Sequence, residues 1–209
     1  MKKILILFIF IFFSCKTDYS INPDAVEEEL LALKDDYPNH KIKFKTNLGE
    51  FIVQLSDRTP IATTNFLRLV RKGYFDERPF YRNVGFSAIQ GGGYFDDRLD
   101  YTIPAEFLTD YFPERGKICM ARYFDGNPDK RSSPTEFFIV TNTEEAKPFI
   151  GQFVTFGEVI QGMNVVDSIK AQPAYFENPV GPRWFGIEIV RENPTWYQNL
   201  GDAIWRLIR

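Results

Sequence analysis

Cysteine and histidine are scarce in this chain, and their scarcity excludes several kinds of chemistry. The 209 residues include two cysteines and one histidine. His40 precedes the strongest strand patterns, so acid–base catalysis by histidine is not expected. Cys119 lies in the apolar run 118–121, which predicts a small buried side chain. Cys15 follows an apolar leader, and once its sulfur is acylated no intrachain disulfide can form.

Positive charge is not in excess. The formal net charge is −3 at pH 7, and removing a leader that contains Lys2 and Lys3 but no acidic residue takes it to −5. A mildly acidic protein is not expected to bind nucleic acid. Asp96, Asp97 and Asp100 do not have the spacing of an EF-hand loop, so neither a metal nor another cofactor is expected.

The first residues have the pattern of a secretory leader. The apolar run 4–13 follows a lysine pair and is too short to span a bilayer as a mature helix. Ser14–Cys15 then resembles a bacterial lipobox, which predicts a lipoprotein signal peptide over residues 1–14 and acylation of Cys15. Such a chain would be anchored to a membrane of the cell envelope, facing the periplasm or the cell exterior. The alternative is an ordinary signal peptide with an incidental cysteine.

Two helical segments are expected outside the main domain. Residues 15–40 are predicted to form a lipidated tether and a helix, with Asn22 as its N-cap, Pro23 at its first position and an end near Asp36. Residues 193–209 carry apolar side chains at helical spacing, which predicts an amphipathic tail helix. This tail is expected to dock on its own domain, and the alternative is a role at a partner or membrane surface.

Residues 41–192 are predicted to form one mainly β domain. Apolar and polar residues alternate over 41–46 and 51–55, which indicates a hairpin of half-buried strands. Thr59 and Pro60 are expected to cap and open a buried helix that ends at Gly73. Further short strands and no repeated βαβ pattern favour a closed antiparallel barrel of about eight strands, with helices capping its ends.

Several motifs inside this domain resemble one family when they are taken in order. Arg82 and Gln90 lie eight positions apart in F-Y-R-N-V-G-F-S-A-I-Q-G-G, and P-T-E-F-F-I follows at 134–139. The other matching segments are 59–67, 73–75, 103–107, 115–122 and 153–166. Together they resemble the cyclophilin-type peptidyl-prolyl cis-trans isomerases over about residues 41–190. The resemblance implies that the partners are X-Pro segments of exported proteins or peptides.

The chemistry of such an isomerase fits an arginine without a nucleophile. An X-Pro amide rotates slowly because rotation breaks its resonance, against a barrier of about 18–20 kcal/mol. A catalyst can hold the proline ring in an apolar pocket and donate a hydrogen bond to the prolyl nitrogen as that nitrogen loses conjugation. Arginine suits this task because it stays charged and presents a rigid fork of donors.

The resemblance assigns roles residue by residue. It implies that Arg82 is the catalytic donor and that Gln90 binds the substrate backbone. The substrate-binding residues that it implies are Gln90, Phe138, Met120, Ala121, Glu136, Phe149 and Phe153. Phe138 matches the floor of the proline pocket, and its neighbour Phe137 is expected in the core because adjacent strand residues face opposite ways. Glu136 replaces the usual glutamine and could either pair with Arg82 or orient it.

The proline pocket departs from the family pattern. Ser87 and Ala88 stand where the family has an aromatic residue and a methionine, and Pro148 replaces another aromatic. The loss of apolar wall predicts a weakened isomerase, unless Phe86 and Phe149 rebuild the pocket. Two alternatives stay open for this scaffold. One is a non-catalytic module or chaperone that binds prolyl peptides, and the other is a structural component of an envelope complex.

Overall fold

The computed structural model describes residues 18–93, 99–180 and 184–190. The α-helices are α1 Val26–Ala32, α2 Pro60–Arg71, α3 Thr143–Ala146 and α4 Met163–Lys170. The first five strands are β1 Lys41–Thr46, β2 Gly49–Leu55, β3 Arg78–Val84, β4 Ala88–Gly92 and β5 Lys117–Met120. The others are β6 Glu136–Val140, β7 Thr155–Gln161, β8 Ala174–Tyr175, β9 Asn178–Pro179 and β10 Trp184–Ile189.

Eight of these strands close into a barrel. Their order around it is β1-β10-β3-β4-β6-β5-β7-β2, and each neighbouring pair is antiparallel. The remaining two strands, β8 and β9, form a separate hairpin. The expected closed antiparallel barrel is therefore confirmed.

Phenylalanine fills the inside of this barrel. The fully buried phenylalanines are Phe44, Phe51, Phe66, Phe75, Phe80, Phe137, Phe156 and Phe185. Phe44 and Phe51 face each other across β1 and β2 with ring centroids 4.5 Å apart. Phe66 of α2 reaches Phe137 of β6 at 5.5 Å, so the helix is packed onto the barrel by the same cluster. Offset and edge-to-face ring pairs of this kind stabilise the fold by more than the burial of their apolar area alone.

The start of α2 differs from the sequence prediction. Pro60 lies in the first turn as expected, but Thr59 makes no side-chain cap, and its buried Oγ1 has no hydrogen-bond partner among the described residues. Glu106 caps the helix instead, because its two carboxylate oxygens accept from the backbone N–H groups of Ile61 at 3.0 Å and Ala62 at 2.8 Å. A carboxylate from outside the helix thus satisfies donors that the threonine was expected to serve.

The first described helix also begins later than predicted. Asn22 does not cap it, since its Oδ1 accepts from the backbone of Asp24 and its carbonyl accepts from Ala25, which makes a turn. Helix α1 starts at Val26, and a short 3-10 turn over Lys34–Asp36 follows it. None of the described helices is long and apolar enough to cross a membrane. The predicted leader, Cys15 and the tail 193–209 lie outside the described residues.

Candidate active site

A transverse row of residues crosses four neighbouring strands on the outer face of the barrel. Arg82 of β3 lies opposite Gln90 of β4, Gln90 opposite Phe138 of β6, and Phe138 opposite Cys119 of β5. Neighbouring strands are about 4.8 Å apart, so the row is compact. The structure thus brings together Arg82, Gln90 and Phe138, the three residues at the centre of the sequence prediction.

A β-bulge places the arginine on this face. Phe80 pairs with Gly91 and Arg82 pairs with Gln90, so Tyr81 is the extra residue of β3. Strict alternation would send Arg82 to the same side as the buried Phe80. The bulge instead brings Tyr81 and Arg82 to one side, where both contact the side chain of Gln90.

Tyr81 links the row to Glu136. Its hydroxyl donates to Glu136 Oε1 at 2.6 Å and accepts from Gln90 Nε2 at 2.7 Å. Burial raises the pKa of Tyr81 well above its ordinary value, and the Glu136 carboxylate adds to the rise, so the hydroxyl stays protonated. The Gln90 amide is thereby oriented with its oxygen toward Arg82, whose Nη1 donates to it at 3.4 Å. Glu136 therefore acts on Arg82 through two intermediates, and no direct ion pair joins them among the described contacts.

Arg82 has a carboxylate partner that the sequence did not point to. Its Nε donates to Glu177 Oε2 at 2.7 Å. Glu177 is 95 positions away along the chain and belongs to none of the motifs, so no local signal could have found it. Tyr81 lies between Phe80 and Arg82 in the F-Y-R start of the first motif, so its place at the site can be inferred from its neighbours.

Three phenylalanine rings form a second cluster beside this row. Phe138, Phe149 and Phe153 meet edge to face, with centroids 5.5 Å, 5.1 Å and 5.3 Å apart. Phe138 is buried, whereas Phe149 and Phe153 are half-buried. Four small buried residues surround the rings: Ala88, Cys119, Ala121 and Ala146. Together they form a cluster that is separate from the barrel core. We call Phe138, Phe149 and Phe153 the three-ring cluster.

The structure settles how the altered positions are packed. Ser87 turns its hydroxyl back to the Val84 carbonyl at 2.8 Å. Phe86 lies in the turn between β3 and β4 and is 80% exposed, so it does not rebuild an apolar wall. Phe149 does join the cluster, as the sequence allowed.

Met120 is the predicted site residue that the structure does not bring to this face. Its side chain is fully buried in the main core, together with Phe137, its partner across β5 and β6. Cys119 and Ala121 face outward, and alternation along the strand sends the residue between them inward. Met120 thus supports the site from behind.

The row offers a ligand hydrogen bonds and apolar contacts, and its thiol is not ionised. Burial raises the pKa of the Cys119 thiol to about 12, so it is neutral at physiological pH. Within the described residues, no group of three or more histidine, cysteine or acidic side chains is placed to hold a metal ion.

Known proteins resemble this chain in both sequence and fold. The family described as cyclophilin type peptidyl-prolyl cis-trans isomerase/CLD matches residues 41–182. A peptidyl-prolyl cis-trans isomerase of Acinetobacter baylyi is 32% identical over 143 residues, covering 65% of this chain and 74% of that protein. Peptidyl-prolyl cis-trans isomerase B of Escherichia coli is 29% identical over 141 residues, covering 62% and 83%.

The chain belongs to the cyclophilin family. A crystal structure of a cyclophilin type isomerase from Cryptosporidium parvum has the same fold, with a TM-score of 0.65 at 24% identity, covering 75% of this chain and 99% of that one. The crystal structure of that protein in the presence of the dipeptide Ala-Pro matches with a TM-score of 0.62 at 24% identity, covering 73% and 99%. The resemblance seen in the sequence is confirmed for the family, for the isomerase class and for the barrel of this cyclophilin.

Proposed function

We propose that this cyclophilin isomerises X-Pro bonds of exported polypeptides while it is anchored to a membrane of the cell envelope. The observation that carries the catalytic part is the transverse row. It joins an arginine, Arg82, to an apolar cluster around Phe138 through Gln90 on the outer face of the barrel. A donor and a ring-binding surface side by side are what the rotation of a prolyl amide requires.

The three-ring cluster would receive the proline ring, and Arg82 would act on the prolyl nitrogen. Edge-to-face rings with two half-buried members offer an apolar surface, and the guanidinium of Arg122 lies at its edge, 5.7 Å from the centroid of the Phe153 ring. As the amide twists, its nitrogen becomes a hydrogen-bond acceptor, so the hydrogen bond from an arginine N–H to this nitrogen becomes stronger. The stabilisation is therefore larger in the transition state than in the bound ground state.

Gln90 would hold the substrate backbone. One N–H of its amide is directed at Tyr81, and its oxygen accepts from Arg82. The second N–H of the amide can then donate to a peptide carbonyl. Tyr81 and Glu136 keep the amide in this orientation, so Glu136 contributes without touching the substrate.

The activity is proposed to be lower than that of a cyclophilin with a complete pocket. Ser87 and Ala88 occupy the positions of two large apolar residues, and the exposed Phe86 does not replace them. A large apolar side chain contributes about 1.5–3 kcal/mol when it is buried. Phe149 recovers part of this surface, so the loss is expected in substrate affinity more than in the donor step.

Membrane anchoring rests on the sequence of the leader. Residues 1–14 followed by Cys15 match a lipoprotein pattern, and lipid chains on Cys15 would tether the barrel without a spanning helix. Labelling cells with a fatty-acid analogue is expected to mark the wild-type protein and not Cys15→Ala. Labelling of both proteins, or of neither, would contradict the anchor.

Exchange NMR on an Ala-Pro-Phe peptide tests the catalytic proposal. We expect the wild-type protein to accelerate cis-trans exchange and Arg82→Ala to reduce the acceleration about a hundredfold, in the range for removal of one transition-state donor. Arg115→Ala is the matched control. Arg115 is 45% exposed like Arg82, and its partner Asp167 lies outside the transverse row.

The same NMR measurements distinguish the isomerase from the two alternative functions of this scaffold. Peptide binding shifts without any acceleration would overturn the enzyme proposal in favour of a prolyl-peptide-binding or chaperone module. Neither shifts nor acceleration would favour a structural role in an envelope complex.

A further inference from the structure

A hairpin far along the chain reaches the candidate catalytic arginine. Strands β8 and β9 pair Tyr175 with Asn178, which leaves Phe176 and Glu177 at the tip. Phe176 adopts a positive φ of 54°, a conformation that a bulky side chain rarely takes. The tip is thus held in an unusual backbone shape at the residue that precedes Glu177.

Glu177 is tied to β3 and the following turn at three points. One carboxylate oxygen accepts from Arg82 Nε at 2.7 Å, and the other accepts from the backbone N–H of Gly85 at 3.2 Å. Its carbonyl oxygen accepts from the backbone N–H of Asn83 at 2.7 Å. These bonds fix the position of the carboxylate relative to the strand that carries Arg82.

The way Glu177 binds the guanidinium matters for catalysis. It takes the Nε edge, and Gln90 takes one N–H of Nη1. Among the described residues no other hydrogen bond to this guanidinium is made, so Nη2 and the second N–H of Nη1 are available to a substrate. A guanidinium held along one side keeps its plane while its end stays open.

A second ion pair in the same protein shows the opposite arrangement. Asp167 binds both terminal nitrogens of Arg115, at 2.9 Å and 2.6 Å, and so closes the end of that guanidinium. The two pairs are equally exposed: 45% and 43% for Arg82 and Glu177, against 45% and 44% for Arg115 and Asp167. A carboxylate that blocked Arg82 would be expected to bind end-on, as Asp167 does.

We propose that Glu177 is a positioning residue for the isomerisation, holding Arg82 by its Nε edge so that the terminal nitrogens can meet the X-Pro segment. This inference rests on the proposed function. It gives the β8–β9 hairpin a part in the site, because the tip of this hairpin carries the carboxylate that holds Arg82.

The test is exchange NMR with the Ala-Pro-Phe peptide on the full mature chain and three variants. Glu177→Ala is expected to lower kcat about two- to fivefold, the range for an exposed ion pair, with KM nearly unchanged because the three-ring cluster is intact. Glu177→Gln keeps an acceptor for Nε and is expected to recover part of kcat. Asp167→Asn removes the matched ion pair and is expected to leave kcat and KM unchanged.

A spectroscopic signal separates positioning from a purely structural role. In protein labelled with ¹⁵N-arginine, the Nε–H of Arg82 is expected to exchange slowly with water in the wild type and faster in Glu177→Ala. An unchanged or raised kcat in Glu177→Ala, or an Arg82 Nε–H signal that does not respond, would overturn this proposal alone. A wild-type protein without any acceleration would overturn it together with the proposed function.

Discussion

The inner and outer faces of β4, β5 and β6 contrast more than any other two regions of the barrel. The inward residues are large and belong to the main core: Ile89, Ile118, Met120, Phe137 and Ile139. The outward residues are mostly small and belong to the separate cluster that surrounds the three rings: Ala88, Cys119, Ala121, Phe138 and Val140. The inner face fills the barrel with its own side chains, whereas the small residues of the outer face make room for the rings of Phe149 and Phe153. Changes on the outer face are therefore expected to act on the site more than on the barrel core.

Phe137 and Phe138 show this contrast in two adjacent residues. Phe137 packs against rings on five other segments, with centroid distances from 5.5 Å to 6.1 Å. Phe138 contacts only the other two rings of the three-ring cluster among the described aromatic pairs. One residue is expected to control stability, and the other to control ligand binding.

The largest expected effect is on the inner face. Phe137→Ala would leave a cavity at the centre of the core and is expected to lower the free energy of unfolding by about 3–5 kcal/mol. Denaturant unfolding followed by circular dichroism measures it. A loss no greater than that of Phe138→Ala would break the distinction between the two faces.

The outer counterpart is expected to act on the site. Phe138→Ala removes the ring that Phe149 and Phe153 pack against, and we expect peptide affinity to weaken by about 1.5–3 kcal/mol, or roughly 10- to 150-fold. The dissociation constant can be measured by peptide titration in NMR. Phe124→Ala is a useful control because this exposed ring meets Phe153 at 5.9 Å without touching Phe138 directly among the described ring pairs. Equal weakening by both variants would contradict a special role for Phe138.

The same two faces show what could be predicted from the sequence. Alternation correctly separated Phe137 from Phe138, because a strand face is a local property of the chain. Motif resemblance puts Met120 beside Ala121 among the substrate-binding residues, although alternation sends the two to opposite faces. A motif marks positions near a site and does not say which of them point into it.

Long-range partners account for one prediction that failed and for one that was missing. Glu106 caps α2 in place of Thr59 and lies 45 positions from Ile61, whose N–H it accepts, and Glu177 reaches Arg82 from 95 positions away. Neither contact has a sequence period or a local spacing, since each depends on how the barrel closes. The bulge at Tyr81 is also invisible to a strict two-residue period, yet it places the arginine on the outer face.

Removing the hydroxyl of Tyr81, which orients Gln90, is expected to have a smaller effect. Tyr81→Phe removes the acceptor for Gln90 Nε2 and the donor to Glu136, and a hydrogen bond of this kind contributes about 0.5–1.5 kcal/mol. We expect kcat/KM to fall by about two- to tenfold in exchange NMR, with little change in unfolding. Tyr111→Phe is the control, because Tyr111 is also partly buried but lies outside the transverse row. A kcat/KM that Tyr81→Phe leaves unchanged would exclude this role of the hydroxyl.

The smallest effect is electrostatic and belongs to the outer face. Burial alone would raise the pKa of Glu177, but hydrogen bonds from Arg82 and Gly85 and the charges of Arg82 and Lys170 outweigh it, so this pKa lies below its ordinary value of 4.5. The carboxylate therefore contributes stability above the pKa of the unfolded chain and loses it as pH falls through the lowered folded pKa.

For an exposed pair this contribution is expected to be below about 1 kcal/mol. Wild type and Glu177→Gln should thus differ in unfolding free energy at pH 7 and converge in acid, while Phe137→Ala keeps its deficit at every pH, because the core that it disrupts carries no charge. A difference between wild type and Glu177→Gln that persisted at low pH would mean that Glu177 acts through its shape and not through its charge.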